Sequence, residues 1–226
     1  MTAKNAFTLA EVLINLAIIG IIAALTIPSL INSYKKVQLK SQLNKTYSSL
    51  SQGVNMIYAE TGLPVTPARY SKAGSFYKDL MKYMRVAKDC GGHGCVHYAG
   101  DGAYTIDDYQ IYSKKSVIHT HFLDDGQFIL QDGVLVMGEN PTNNTDAGLL
   151  LTADINGLEN GPNAWGHDLF TFEVLDNRLV PSGAKGTHYD LESHPSLCSE
   201  TSASNLNGIA CTEKALSDPD YFKNLP

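Results

Sequence analysis

Apolar and polar positions change their rhythm several times along this chain. From Val12 to Ile31 no charged side chain occurs, over about the 20 residues a helix needs to cross the hydrocarbon core of a bilayer. From Leu39 onward the run becomes a stripe. Leu39, Leu43, Tyr47, Leu50, Val54 and Ile57 recur at spacings of three and four, which predicts a helix with one apolar face suited to packing on a sheet. Gly62 and Pro64 end it. Read as one element from Phe7 to Ala59, the helix would be roughly 80 Å long at 1.5 Å per residue. Its first half belongs in lipid or in the core of an assembly, its second half on a globular domain.

Beyond it, residues 61–73 read as a loop. Phe76, Leu80, Tyr83, Met84 and Ala87 then mark a short amphipathic helix that ends at the Cys90 loop. The period next shortens toward two, and strands are expected at 103–112, 116–123, 126–131, 133–138, 148–154, 168–174 and 177–180. Asp125-Gly126 and Asp132-Gly133 carry hairpin chemistry between them, which implies an antiparallel sheet. The expected fold class is therefore α+β, a long helix on an antiparallel sheet. The tail, 187–226, reads as irregular and polar.

One acidic residue changes the meaning of the apolar run. Glu11 stands at its mouth, where a charge in lipid costs up to about 2.5–3.5 kcal/mol at a helix centre and less near an end, and so marks function. A secretory signal would place a small-residue cleavage site after its apolar stretch. Here the candidate junction, Ala6–Phe7, precedes it.

Junction, glutamate and Pro28 agree in spacing, and the segment 6–31 resembles the N-terminus of type IV prepilins and type II secretion pseudopilins. The resemblance implies a leader, Met1–Ala6, removed by a prepilin peptidase, with Phe7 as the N-methylated first mature residue followed by Thr8. Ala6 stands where that family usually has glycine. The resemblance also implies that Glu11 pairs with the α-amine of a neighbouring subunit and sets the assembly register. Pro28 falls where the family has a helix-loosening proline, so a kink or a melted stretch is expected there. Residues 7–60 would form the helix, membrane-spanning or assembly-forming over about 7–31 and amphipathic over about 32–60. Residues 61–226 would form a pilin-like globular domain. Lys35, Lys36, Lys40 and Lys45 follow the span while the leader holds only Lys4. Lysine counting would therefore not place the leader in the cytoplasm, and that orientation rests on the resemblance.

A formal net charge of −6 over 226 residues gives no basic footprint for nucleic acid. Cys90, Cys95, Cys198 and Cys211 form two local pairs, which in an exported chain favours disulfides Cys90–Cys95 and Cys198–Cys211, with crossed connectivities still open. His93 and His97 near the first pair suggest zinc, although the spacing suits a tetrahedral site poorly.

A second constellation spans 154–174. Asp154, Asn156, Gly157, Gly161, Pro162, Asn163, Gly166 and Asp168 concentrate turn formers between two strand-like segments. Together with the D-x-F-x-F strand and Pro181-Ser182-Gly183, it resembles a loop of prepilin-type C-terminal domains. Asp154, Asn156, Asn163 and Asp168 could supply oxygen ligands to Ca²⁺, without EF-hand spacing; a metal-free Asx/Gly loop is the alternative. Trp165 either packs beneath this loop or makes an exposed contact. His119 and His121 share a strand face near Asp124 and Asp125 and could bind a metal. No nucleophile elbow, P-loop or H-E-x-x-H occurs.

The expectation is a filament subunit and not an enzyme, held first in the inner membrane with its domain outside the cytoplasm. It would later reside in a surface or periplasmic filament. Its partners would be further copies of itself, other pilins or pseudopilins, the prepilin peptidase and an inner-membrane assembly platform. A membrane-anchored minor or tip pilin acting in adhesion, and a metal-dependent envelope hydrolase, are the competing readings.

Overall fold

The computed structural model describes residues 8–92, 94–96, 105–119, 123–141 and 148–226. Helix α1 runs Leu9–Thr61, 53 residues. It continues through Pro28, so no melted stretch interrupts it there. The proline removes one donor, the N–H that would reach the Ala24 carbonyl, and the ladder on either side carries the helix across.

The chain divides into two compact units, residues 1–38 and Leu39–Pro226. In the first, the large apolar side chains of α1 are exposed, from 42% at Val12 to 78% at Leu9. This part of α1 is long and apolar enough to cross a membrane.

The second unit begins inside α1. Among the described residues it continues through α2 (Ser75–Met81) and eight strands: β1 Val86–Gly91, β2 Thr105–Gln110, β3 Val117–His119, β4 Gln127–Leu130, β5 Leu135–Glu139, β6 Leu150–Asp154, β7 Leu169–Leu175 and β8 Arg178–Pro181. α3 (Cys211–Ser217) and 3-10 turns at Pro195–Cys198 and Tyr221–Lys223 complete it. Six strands form one antiparallel sheet in the order β1-β4-β5-β6-β7-β8, while β2 and β3 pair separately.

Alternation divides the six-stranded sheet into two buried faces. Phe128, Val136, Leu151, Ala153, Phe170 and Phe172 meet the α1 stripe of Leu43, Leu50, Val54 and Ile57. Tyr47 stacks on Phe172 with ring centroids 5.4 Å apart and donates its hydroxyl to the Leu179 carbonyl. On the opposite face Leu135, Met137 and Leu169 pack with Tyr109, Ile111, Trp165 and Ile209. A long apolar helix on an antiparallel sheet is a pilin-like α+β architecture.

Three expectations need correction. The amphipathic helix predicted to reach Ala87 stops at Met81, and Val86–Gly91 is instead β1, an edge strand paired with β4. Asp132-Gly133 does turn β4 into β5, with the Gly133 N–H bonded to Leu130 and a φ of +89°. Asp125-Gly126 is no hairpin, because β3 pairs with β2 and β4 with β1 and β5. Its backbone extends the β4–β5 pairing through Asp125 and Gly126, both bonded to Gly138. Finally, the tail is not merely a polar strap. Ile209, Ala210, Ala215, Tyr221 and Phe222 are buried, and Phe222 meets Phe170 edge-on at 5.9 Å.

Candidate functional site

The head of α1 carries a reciprocal cap. Thr8 N–H and Thr8 Oγ1 each donate to Glu11 Oε2 at 2.8 Å, while the Glu11 N–H reaches Thr8 Oγ1 at 3.3 Å. This is the T-x-x-E capping box, which satisfies backbone donors that a helix start leaves unpaired. Glu11 is solvent-exposed in the single chain. Ala6 and Phe7, the expected cleavage junction, lie outside the described residues, as do His93, His97 and His121.

The cysteines are bonded as local pairs, Cys90–Cys95 and Cys198–Cys211. The second joins the 3-10 turn at Pro195–Cys198 to the first residue of α3, and so ties the tail to itself beneath the sheet.

Asp154, Asn156, Asn163 and Asp168 are assembled at the end of the β6–β7 pair, where Asp154 lies opposite Leu169. Asp168 is fully buried, and its two oxygens receive the Asn163 and Ala164 N–H groups at 2.8 Å. Asp154, also fully buried, accepts the Tyr109 hydroxyl at 2.6 Å and the Gly157 N–H at 2.9 Å. Asn156 and Asn160 clasp each other's backbone carbonyls, and Asn163 donates to the Leu158 carbonyl from a left-handed backbone at φ +52°. The turn chemistry read from the sequence thus does structural work here. Trp165 packs beneath the loop, fully buried, with its indole N–H on Thr171 Oγ1 at 3.0 Å.

The electrostatics of this loop are unusual. Burial pushes the Asp154 carboxyl up to about 7 against the pull of the Tyr109 hydroxyl, and the nearby Asp168 raises it further. Burial likewise raises Asp168. The Asn156 and Asn163 amide oxygens are buried and accept no hydrogen bond. Two carboxylates near two unpartnered amide oxygens form a donor set that fits a hard, oxygen-liganded cation such as Ca²⁺. Tyr109, whose hydroxyl closes this set, gave no sign of its part in the sequence because it lies far from Asp154 along the chain.

The structure also assembles Asp124, Asp125 and Glu139, whose carboxylate oxygens lie within 4.8 Å of one another. Burial, then Asp125 and Asp124, push Glu139 up to about 10, which keeps it protonated at neutral pH. His119, expected beside Asp124 and Asp125, lies in β3 at the register position opposite Thr105. On β7, the fully buried Glu173 accepts the His188 N–H at 2.8 Å and contacts the His188 ring at 2.5 Å. Gly148 makes room for this pair, since a Cβ there would lie 2.7 Å from Glu173.

No family model matches the chain, and no curated protein or solved structure matches it.

Proposed function

We propose that this chain is a structural subunit of a type IV pilus-like or type II secretion pseudopilus filament. The observation that carries the reading is the division of labour within α1. Its first half exposes an uncharged apolar surface headed by one capped carboxylate, while its second half is the spine of a disulfide-bonded domain. Such a helix is costly to leave in water and gains either from lipid or from the helices of other subunits. Head-to-tail contacts among identical subunits generate filaments when the rotation between them does not close.

In this reading a prepilin peptidase cuts between Ala6 and Phe7, and Phe7 is N-methylated. The helix holds the chain in the inner membrane with its domain on the oxidising side, where disulfides persist. An assembly platform then moves the subunit into a filament of like copies or of other pilins and pseudopilins. The freed Phe7 amine of one subunit compensates Glu11 of the next. Pro28 loosens the helix as it repacks. The role is structural and not enzymatic. When bound, calcium would be held by Asp154, Asn156, Asn163 and Asp168, neutralising buried charge and stiffening the loop.

N-terminal mass spectrometry of envelope and sheared-filament fractions tests the reading. The expected species begins at methylated Phe7 and appears in both fractions, and Glu11→Ala disappears from the filament fraction at least tenfold. A mature chain that still begins at Met1 would sink the proposal.

A further inference from the structure

The sequence holds three Asn-Gly dipeptides, Asn156-Gly157, Asn160-Gly161 and Asn207-Gly208, and the fold treats them differently. Asparagine is thermolabile, and most so before glycine, which has no Cβ to obstruct its own backbone nitrogen as that nitrogen approaches the asparagine side chain. The approach needs an N–H that is free to be given up and a backbone free to rotate.

At Asn156-Gly157 the attacking nitrogen is held. The Gly157 N–H donates to Asp154 Oδ1 at 2.9 Å, on a backbone at φ +82°. At Asn207-Gly208 both partners are held. Asn207 is fully buried, and its amide donates to the Ser199 and Ser202 carbonyls at 2.8 and 2.9 Å. The Gly208 N–H reaches the Leu197 carbonyl at 2.7 Å. Asn160-Gly161 has neither restraint. Both residues are exposed in a bend between β6 and β7, and among the described residues the Gly161 N–H donates to no group. The space around it is open, since a Cβ on Gly161 would meet only the Asn163 nitrogen, at 3.7 Å.

We infer that Asn160 is a site of spontaneous deamidation, and that the conversion undoes the clasp across the Asp154–Asp168 loop. The Gly161 nitrogen loses its proton to hydroxide and attacks Asn160 Cγ. The new N–Cγ bond closes a cyclic succinimide as the Cγ–Nδ2 bond breaks, and the nitrogen leaves as ammonia with a proton from water. A further water adds to either ring carbonyl and opens the ring to aspartate or isoaspartate. The sum is amide plus water giving acid plus ammonia, with nothing oxidised or reduced.

The consequence follows from what the Asn160 amide now does. Its Nδ2 donates to the Asn156 carbonyl at 2.9 Å, and Asn156 Nδ2 donates back to the Asn160 carbonyl. A carboxylate has only acceptors, so the product faces the Asn156 carbonyl oxygen with no proton between them. Isoaspartate also lengthens the backbone by a methylene and displaces the Asn160 carbonyl. Asn156 donates its own N–H to Asp154 Oδ1 at 3.3 Å, so the disturbance reaches a buried carboxylate, in a loop that has gained a negative charge. None of this depends on whether the chain assembles into a filament.

The test incubates the full chain in lipid nanodiscs at mildly alkaline pH in ¹⁸O-labelled water, and follows the three dipeptides by peptide mass spectrometry. Conversion at Asn160 should outrun that at Asn156 and Asn207 by about fivefold or more, the factor corresponding to one net hydrogen bond that must open first. In urea the three rates should come within about twofold of one another, because the restraints that separate them belong to the fold. Gly161→Ala has room for its methyl group and should slow conversion at Asn160 severalfold. Asn160→Asp, which carries the product from the start, should speed hydrogen exchange at the Asn156 and Gly157 N–H groups by about fivefold or more. Conversion at Asn156 or Asn207 as fast as at Asn160, or an order that persists unchanged in urea, would overturn the site. Exchange rates in Asn160→Asp equal to those of the parent would overturn the loosening of the loop.

Discussion

Burial holds the Asp154 carboxyl at about 7, although the Tyr109 hydroxyl and loop N–H groups favour its charged form. An unfolded aspartate titrates near 3.9. Between about pH 4 and pH 7 the folded chain therefore holds a proton that the unfolded chain has released. The slope of stability with pH follows the difference in bound protons, so this contribution is complete below about pH 4 and is lost as pH rises through 7. Asp168, raised by burial as well, acts in the same direction. Asp154→Asn should flatten the decline, leaving the variant more stable than the parent at pH 7. Urea midpoints at a series of pH values measure this, and parallel pH profiles for parent and variant would contradict it. Calcium should relieve the same strain by another route. At pH 7 the parent should melt several degrees higher in calcium than in chelator, with the gain shrinking near pH 5 as protons compete for the carboxylates. Asp154→Asn should lose most of that gain in differential scanning calorimetry. The Asx and Gly residues of this loop were readable along the chain because turn chemistry is local. Tyr109, Glu139 and Glu173 were not, because each meets its partner only after distant segments have paired.

At the scale of elements, β2 to β8 overlap the segments expected to be strands, and β1 does not. Its residues Ala87, Lys88 and Asp89 are all exposed, and two register shifts against β4 break the period of two. An irregular edge strand leaves little pattern to read, and Tyr83, Met84 and Ala87 mimicked helical spacing instead. Asp125-Gly126 failed for a different reason. Its local chemistry suits a hairpin, but β1 occupies the place beside β4 that a β3–β4 hairpin would need. What Gly126 provides is clearance, since a Cβ there would lie 1.8 Å from the Tyr77 ring, on a backbone at φ +149°. Gly126→Ala should therefore cost about 3 kcal/mol or more, above the usual range for a single crowded methyl group because backbone strain adds to the overlap. A urea midpoint equal to that of the parent would show that α2 can shift to accommodate the methyl.

For the molecule as a whole, one hydrophobic core is built from sequence extremes. Leu43, Leu50, Val54 and Ile57 near its start share a cluster with Cys211, Ala215, Tyr221 and Phe222 at its end. Tyr221 donates its hydroxyl to the Gly166 carbonyl at 2.8 Å, behind the Asp154–Asp168 loop. Phe222→Ala should destabilise the domain by about 3–5 kcal/mol, the usual range for emptying a buried phenylalanine site. Thermal melting would reveal it as a large fall in midpoint, whereas a surface tail would show almost none. The pilin-like plan was legible because a membrane-length run and a three-four stripe have few other uses. The closing role of the tail was hidden, because its apolar residues are spaced among polar ones without period. That role has a consequence for biosynthesis. A ribosome supplies Phe222 only after every strand of the six-stranded sheet, so the cluster it shares with α1 cannot be complete until synthesis has passed it. A copy truncated before Phe222 lacks the aromatic closure on Phe170 that would let it pass for a finished one.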